Sequence, residues 1–175
     1  VSGEGVHYSG AQGVSDLNDL VAQTAGQVIA TVSGNASQLA LLDGLNSSDD
    51  IDIILTTDTV NTPALQKQLR DLRAMTGGVI TASVSGALDV IEPNATGTVG
   101  DDEDVNIGLT TLSTDQITIT VTDDDLGDND VAHLEEVLDR TGGEVTATIT
   151  LGANAFANFI DASNGAHSNT GDDIT

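Results

Sequence analysis

The chain has 175 residues, enough to bury a sizeable core, yet only 2% are aromatic, so that core must be built from Val, Ile, Leu and Ala. Twenty-eight Asp and Glu against four Lys and Arg give a formal charge of −24, which argues against nucleic acid and anionic membranes as partners and favours cations. Cysteine is absent, which excludes a disulfide scaffold, and no apolar run approaches the roughly 20 residues of a membrane span.

Residues 1–14 read as an N-terminal flank. Ser15 is placed to cap a first helix in which Leu17, Leu20 and Val21 share one face. The text TAGQVIATVS, Thr24 to Ser33, follows as a turn and a strand, and Leu39 to Asp52 reads as a linker. Ile51 to Asp58 is a strand of a second type. Thr62 and Pro63 then open a helix carrying Leu65, Leu69 and Leu72. Thr76 to Ser85 repeats the turn and strand as TGGVITASVS.

After the acidic stretch EPNATGTVGDDEDVNIG, Ile117 to Asp123 is again a strand of the second type. Asp128 or Asp130 caps a helix with Leu134, Val137 and Leu138 on one face. TGGEVTATIT, Thr141 to Thr150, writes the joint a third time. In its strand, Val145, Ala147, Ile149 and Leu151 point one way, and Thr146, Thr148 and Thr150 the other. The glycines of the joint are expected to end each helix by adopting the left-handed conformation.

Thr24, Thr76 and Thr141 are 52 and then 65 residues apart, a period that signals a repeat architecture. Residues 15–92 carry repeats 1 and 2, 93–114 an acidic insertion loop, and 115–175 repeat 3 and the start of the next. The closing Gly171-Asp172-Asp173-Ile174 matches Ser48-Asp49-Asp50-Ile51, as in a piece cut from a longer array. The expected fold is α/β: tandem strand-helix-strand repeats forming a two-layer, mainly parallel sheet or solenoid. An all-β sandwich is the alternative.

Carboxylates are the most visible candidates for chemistry. Asp123, Asp125, Asp128 and Asp130 crowd a strand-to-helix turn, and Asp102, Asp104 and Asn106 place oxygen ligands at alternate positions. Calcium is the candidate cofactor of both clusters. Neither follows the EF-hand pattern: Ile107 stands where that loop needs glycine, and Ser113 where it needs the bidentate Glu. The competing reading is a solvated turn, with aspartates favouring the helix N-terminus. The shorter Asp49-Asp50 and Asp172-Asp173 turns are read the same way.

His7, His133 and His167 are scattered, and no nucleophile elbow, phosphate loop or dinucleotide fingerprint occurs. No enzyme is expected. Thr118 and Thr120, with Thr146, Thr148 and Thr150, form rows of hydroxyls suited to a glycan, ice or a second copy. Thr also favours solvent-facing strands for its own sake. Asn35, Asn46 and Asn94 match the glycosylation acceptor pattern, as chance allows in a chain of this composition.

The words TGGEVTATIT, TAGQVIATVSGNASQL and STDQITITVTD, with the Asp16-Leu17-Asn18 segment, resemble tandem repeats of giant cell-surface proteins of marine cyanobacteria and other aquatic bacteria. The resemblance covers roughly Ser15 to Thr175. It implies an acidic, cysteine-free protein, secreted in one step and folding on extracellular calcium, that serves adhesion, surface-layer formation or swimming motility. It implies no catalytic residue. The chain departs from the pattern in its Ile91 to Thr114 insertion and in lacking the nine-residue GGxGxD calcium repeat, so calcium rests on the acidic turns alone.

The expected function is a non-enzymatic structural segment of a large extracellular surface protein, stiffened by calcium. Its partners would be neighbouring repeats of the same long chain and other cell-surface components, with no nucleic acid and no membrane insertion. A module binding glycan or ice through the hydroxyl face is the alternative.

Overall fold

Strict alternation gives strands that can bury one face only. In Gln116–Val121, Ile117, Ile119 and Val121 are buried while Gln116, Thr118 and Thr120 are exposed. The computed structural model describes residues 6–91, 114–123, 126–128, 130–139, 141–149 and 173–174. Its strands are β1 (Val6–Ser9), β2 (Ile29–Gly34), β3 (Asp50–Val60), β4 (Ile80–Gly86), β5 (Gln116–Val121), β6 (Val145–Ala147) and β7 (Asp173–Ile174). Between them lie helices α1 (Gly10–Gln23), α2 (Ala36–Leu39), α3 (Pro63–Met75), α4 (Leu88–Ile91) and α5 (Val131–Leu138).

The seven strands form one sheet in the order of the chain, and every pairing is parallel. Each connection therefore moves one strand along and never turns back. A sheet laid down in this way is a coil of successive β-α turns, and it excludes the sandwich alternative. Long helices (α1, α3, α5) alternate with the four-residue α2 and α4, so the sequence period contains two coils rather than one.

One hydrophobic core joins Leu17, Leu69 and Leu134 of the long helices to Val32, Ile53, Val84 and Ile119 of the strands. Burying each such side chain contributes roughly 1.5–3 kcal/mol. With helices against one face of the sheet, the other face is left open, as the alternation requires. Val14 and Val131 occupy the same place in α1 and α5 as Gln66 in α3. Gln66 is a polar exception within the core, buried with no hydrogen-bond partner for its amide among the described residues.

One helix start differs from expectation. Helix α1 begins at Gly10, with Ser9 as an N-cap that makes no side-chain bond, so Ser15 lies inside the helix rather than capping it. β1 and the first turn of α1 thus fall within residues 1–14. Thr62 caps α3 as expected, its hydroxyl accepting from Leu65 N at 3.3 Å with Pro63 in the first turn. Between β2 and the expected linker lies α2, started by a capping box in which Asn35 and Gln38 each accept the other's backbone N–H.

Candidate functional site: the joints and the open sheet face

The Thr-Gly-Gly joint is the most elaborate local structure the chain repeats. The Thr76 hydroxyl accepts from Ile51 N and Gly78 N at 3.0 Å each and lies 2.8 Å from Ile51 O, to which it donates. Thr141 does the same one unit later, accepting from Ile117 N at 3.0 Å and Gly143 N at 2.9 Å, and donating to Ile117 O at 2.6 Å. Both threonines are buried. Each oxygen satisfies backbone groups where the new strand has not yet started to pair, and Gly77 N and Gly142 N continue the ladder to Asp49 O and Asp115 O at 2.7 Å.

The glycines serve a different purpose from the one expected. Among the described residues only Gly10 and Gly44 have positive φ, so the joints do not use the left-handed conformation. What matters is space. A Cβ at Gly78 would lie 2.4 Å from the Ile51 carbonyl carbon, and one at Gly143 would lie 2.4 Å from Ile117 O. The second glycine is thus demanded by close approach of two backbones. At the first joint Thr24 is exposed, and a Cβ at Gly26 would meet nothing within 4 Å.

Asp49, which reads in sequence as part of a solvated turn, and Asp115 are core residues. Asp49 is 2% exposed and Asp115 0%. Each stands just before a strand and accepts, through Oδ1, the N–H of the residue beside it in the preceding coil: Val28 N at 2.9 Å and Ile80 N at 2.8 Å. Asp49 also takes Asn46 N and Asn46 Nδ2 on Oδ2, at 3.1 and 2.9 Å, which ties up one of the amides matching the glycosylation pattern. Asp115 instead takes Arg73 Nη1 at 2.6 Å, and Arg73 Nη2 donates to Thr76 O. The signal that could have found them was their common place, immediately before the second-type strand.

Of the expected calcium ligands, Asp123 accepts Leu88 N at 2.6 Å and Asp130 accepts Gly127 N at 2.8 Å, so both carboxylates hold backbone around α4 and α5. Asp130 is the N-cap residue of α5; its carbonyl accepts Leu134 N at 2.9 Å, but its side chain makes no cap bond to the helix. Asp128 is exposed in the same turn. Asp125, Asp102, Asp104 and Asn106 lie outside the described residues. Among the described residues no three His, Asp or Glu side chains converge as a metal site. His7 and His133 are exposed; His167 lies outside the described residues.

The threonine rows stand where the alternation puts them. Thr118 and Thr120 are exposed on the open face, beside Ser83 and Ser85 of β4 in the ladder, and Thr146 pairs with Thr120 from the other side. Thr148 is exposed and Thr150 lies outside the described residues. Parallel strands space such hydroxyls about 4.8 Å across the sheet and roughly 6.6 Å along it. A small pocket beneath α3 is lined by aliphatic residues, among them Leu55, Val60, Leu69 and Leu72, and by Gln68, without a titratable group.

Among the described residues no helix is long and apolar enough to cross a membrane. Comparison with protein-family models, with curated proteins and with solved structures found no match for this chain.

Proposed function

We propose that the chain is a structural segment of a large extracellular bacterial surface protein, acting as a stalk or layer element rather than as an enzyme. The observation that carries this reading is the strand order. Each coil pairs only with the coil before and the coil after it, so length is added without a new core having to be invented. The repeated joint is spent on backbone alone, in keeping with a part whose task is to hold its own geometry.

Calcium belongs to the same proposal. In the acidic turn, Asp123 and Asp130 would each contribute the carboxylate oxygen left over beyond the amide it accepts, with the remaining ligands supplied from elsewhere. Partners would be further coils of the same chain. The test is antibody labelling, with antibodies raised against this chain, of cells of the source organism left intact or made permeable. Label on intact cells is expected; label that appears only after permeabilisation would overturn the reading.

The hydroxyl rows on the open face favour a second reading, a module that binds ice or a glycan. Thermal hysteresis of the pure protein, or retention on a glycan array, would promote it over the structural one.

A further inference from the structure

The two buried aspartates solve one problem by two routes. Asp49 and Asp115 occupy equivalent places: each accepts the amide four residues after a joint threonine, Val28 N after Thr24 and Ile80 N after Thr76. In each, the carboxylate sits in the core and needs a further donor besides that amide. For Asp49 it comes from Asn46, three residues earlier in the same loop. For Asp115 it comes from Arg73, three residues before the joint Thr76, on the helix that precedes the intervening strand.

The unused position in each coil is filled by an aliphatic residue. Val21 stands three before Thr24, in the place of Arg73, and it is buried. Leu112 stands three before Asp115, in the place of Asn46. The third joint follows the same rule in its sequence. Leu138 stands three before Thr141, and Asn169 stands three before Asp172, whose neighbour Asp173 pairs with Thr146 in the ladder. In sequence, each pair carries an arginine at the helix position or an asparagine at the loop position, and none of the three carries both or neither.

We infer that these two positions form one coupled pair that matches each helix to the coil following it. A helix ending with arginine at this place fits only a coil whose aspartate lacks the loop asparagine. A helix with an aliphatic residue there fits only a coil that brings its own asparagine. The pair acts as an adaptor between successive coils and fixes which may stand next to which. In an array of otherwise similar parallel strands, a wrongly matched coil buries either a carboxylate short of a donor or a surplus cation, and both are strongly unfavourable. The inference does not depend on where the protein resides or what it serves.

The experiment moves the arginine solution into the asparagine coil of the intact chain. Asn46→Asp keeps the oxygen that Ser48 N uses, at 3.0 Å, but removes the side-chain donor to Asp49 and sets a second carboxylate beside it. It should lower the unfolding midpoint by roughly 10 °C. Adding Val21→Arg should restore at least half of that loss, whereas Val21→Met, similar in length but uncharged, should restore none. Val21→Arg alone, beside an Asp49 already satisfied, should lower the midpoint. Equal rescue by methionine, no rescue by arginine, or a rise with Val21→Arg alone would each overturn the pairing rule. Circular dichroism of every variant at low temperature checks that the fold is retained before melting.

Discussion

Thr76 and Thr141 each use one hydroxyl to hold an N–H and a carbonyl of the neighbouring strand and an N–H of the joint itself. Valine would keep the shape and leave those buried groups unmet, at about 1–3 kcal/mol for each one left unsatisfied. The glycine two places on is as restricted, for a steric reason: its missing side chain is where the previous strand's backbone runs. Gly78→Ala and Gly143→Ala are therefore expected to lower stability by about 1–3 kcal/mol each, as overpacking does, and by more if the strand start is displaced. Gly26→Ala, with open space around it, should be unchanged or raised by up to about 1 kcal/mol through a stiffer unfolded chain. Urea midpoints of the three variants check this. Equal losses at all three sites would show that the close approach is not what the glycines provide.

At the scale of elements, the sequence made legible what depends on periodicity. The faces of the helices were readable from Leu17 and Val21, Leu69 and Leu72, and Leu134, Val137 and Leu138, all of which are buried. So was the open side of β5, because Thr118 and Thr120 alternate with buried isoleucine. What escaped was too short or too dependent on contact to leave a period. Helices α2 and α4 have four residues each, barely one turn, and fell in stretches to which no element was assigned. The start of α1 was misplaced because Ser15 resembles a cap, while Ser9, beside the edge strand, begins the helix without a side-chain bond.

The candidate site was legible only in part for the same reason. Asp123 and Asp130 could be named as an acidic turn, but not as acceptors for Leu88 N and Gly127 N, because the former bond joins residues 35 apart in sequence. Asp49 looked like surface charge, and nothing in its local sequence singled out Asp115. Burial of a carboxylate is set by the coil stacked beside it, which no local window reveals.

For the whole molecule, a charge of −24 sets the conditions under which the coil is expected to hold together. Self-repulsion is screened as ionic strength rises, since the Debye length falls from about 30 Å at 0.01 M to about 3 Å at 1 M. The unfolding temperature should therefore climb with sodium chloride. Calcium should add to this at equal ionic strength: at a hundred times its Kd, binding to the native state is worth about 2.7 kcal/mol. For 175 residues that is roughly 5–10 °C. Melting in EDTA, in calcium and in magnesium at matched ionic strength decides this point. Identical curves in the two cations would remove calcium from the proposal and leave screening alone.

The central claim is that stability here is passed from coil to neighbouring coil rather than drawn from one indivisible centre, as the proposed role in a longer array requires. Hydrogen exchange on Gly143→Ala tests it most directly, because the substitution falls where β6 begins, away from β2 and β3 in the strand order. The account predicts that amides of β5 and β6 lose protection while those of β2 and β3 keep close to their original rates. Uniform acceleration across all the strands would contradict it and make the chain a single cooperative domain.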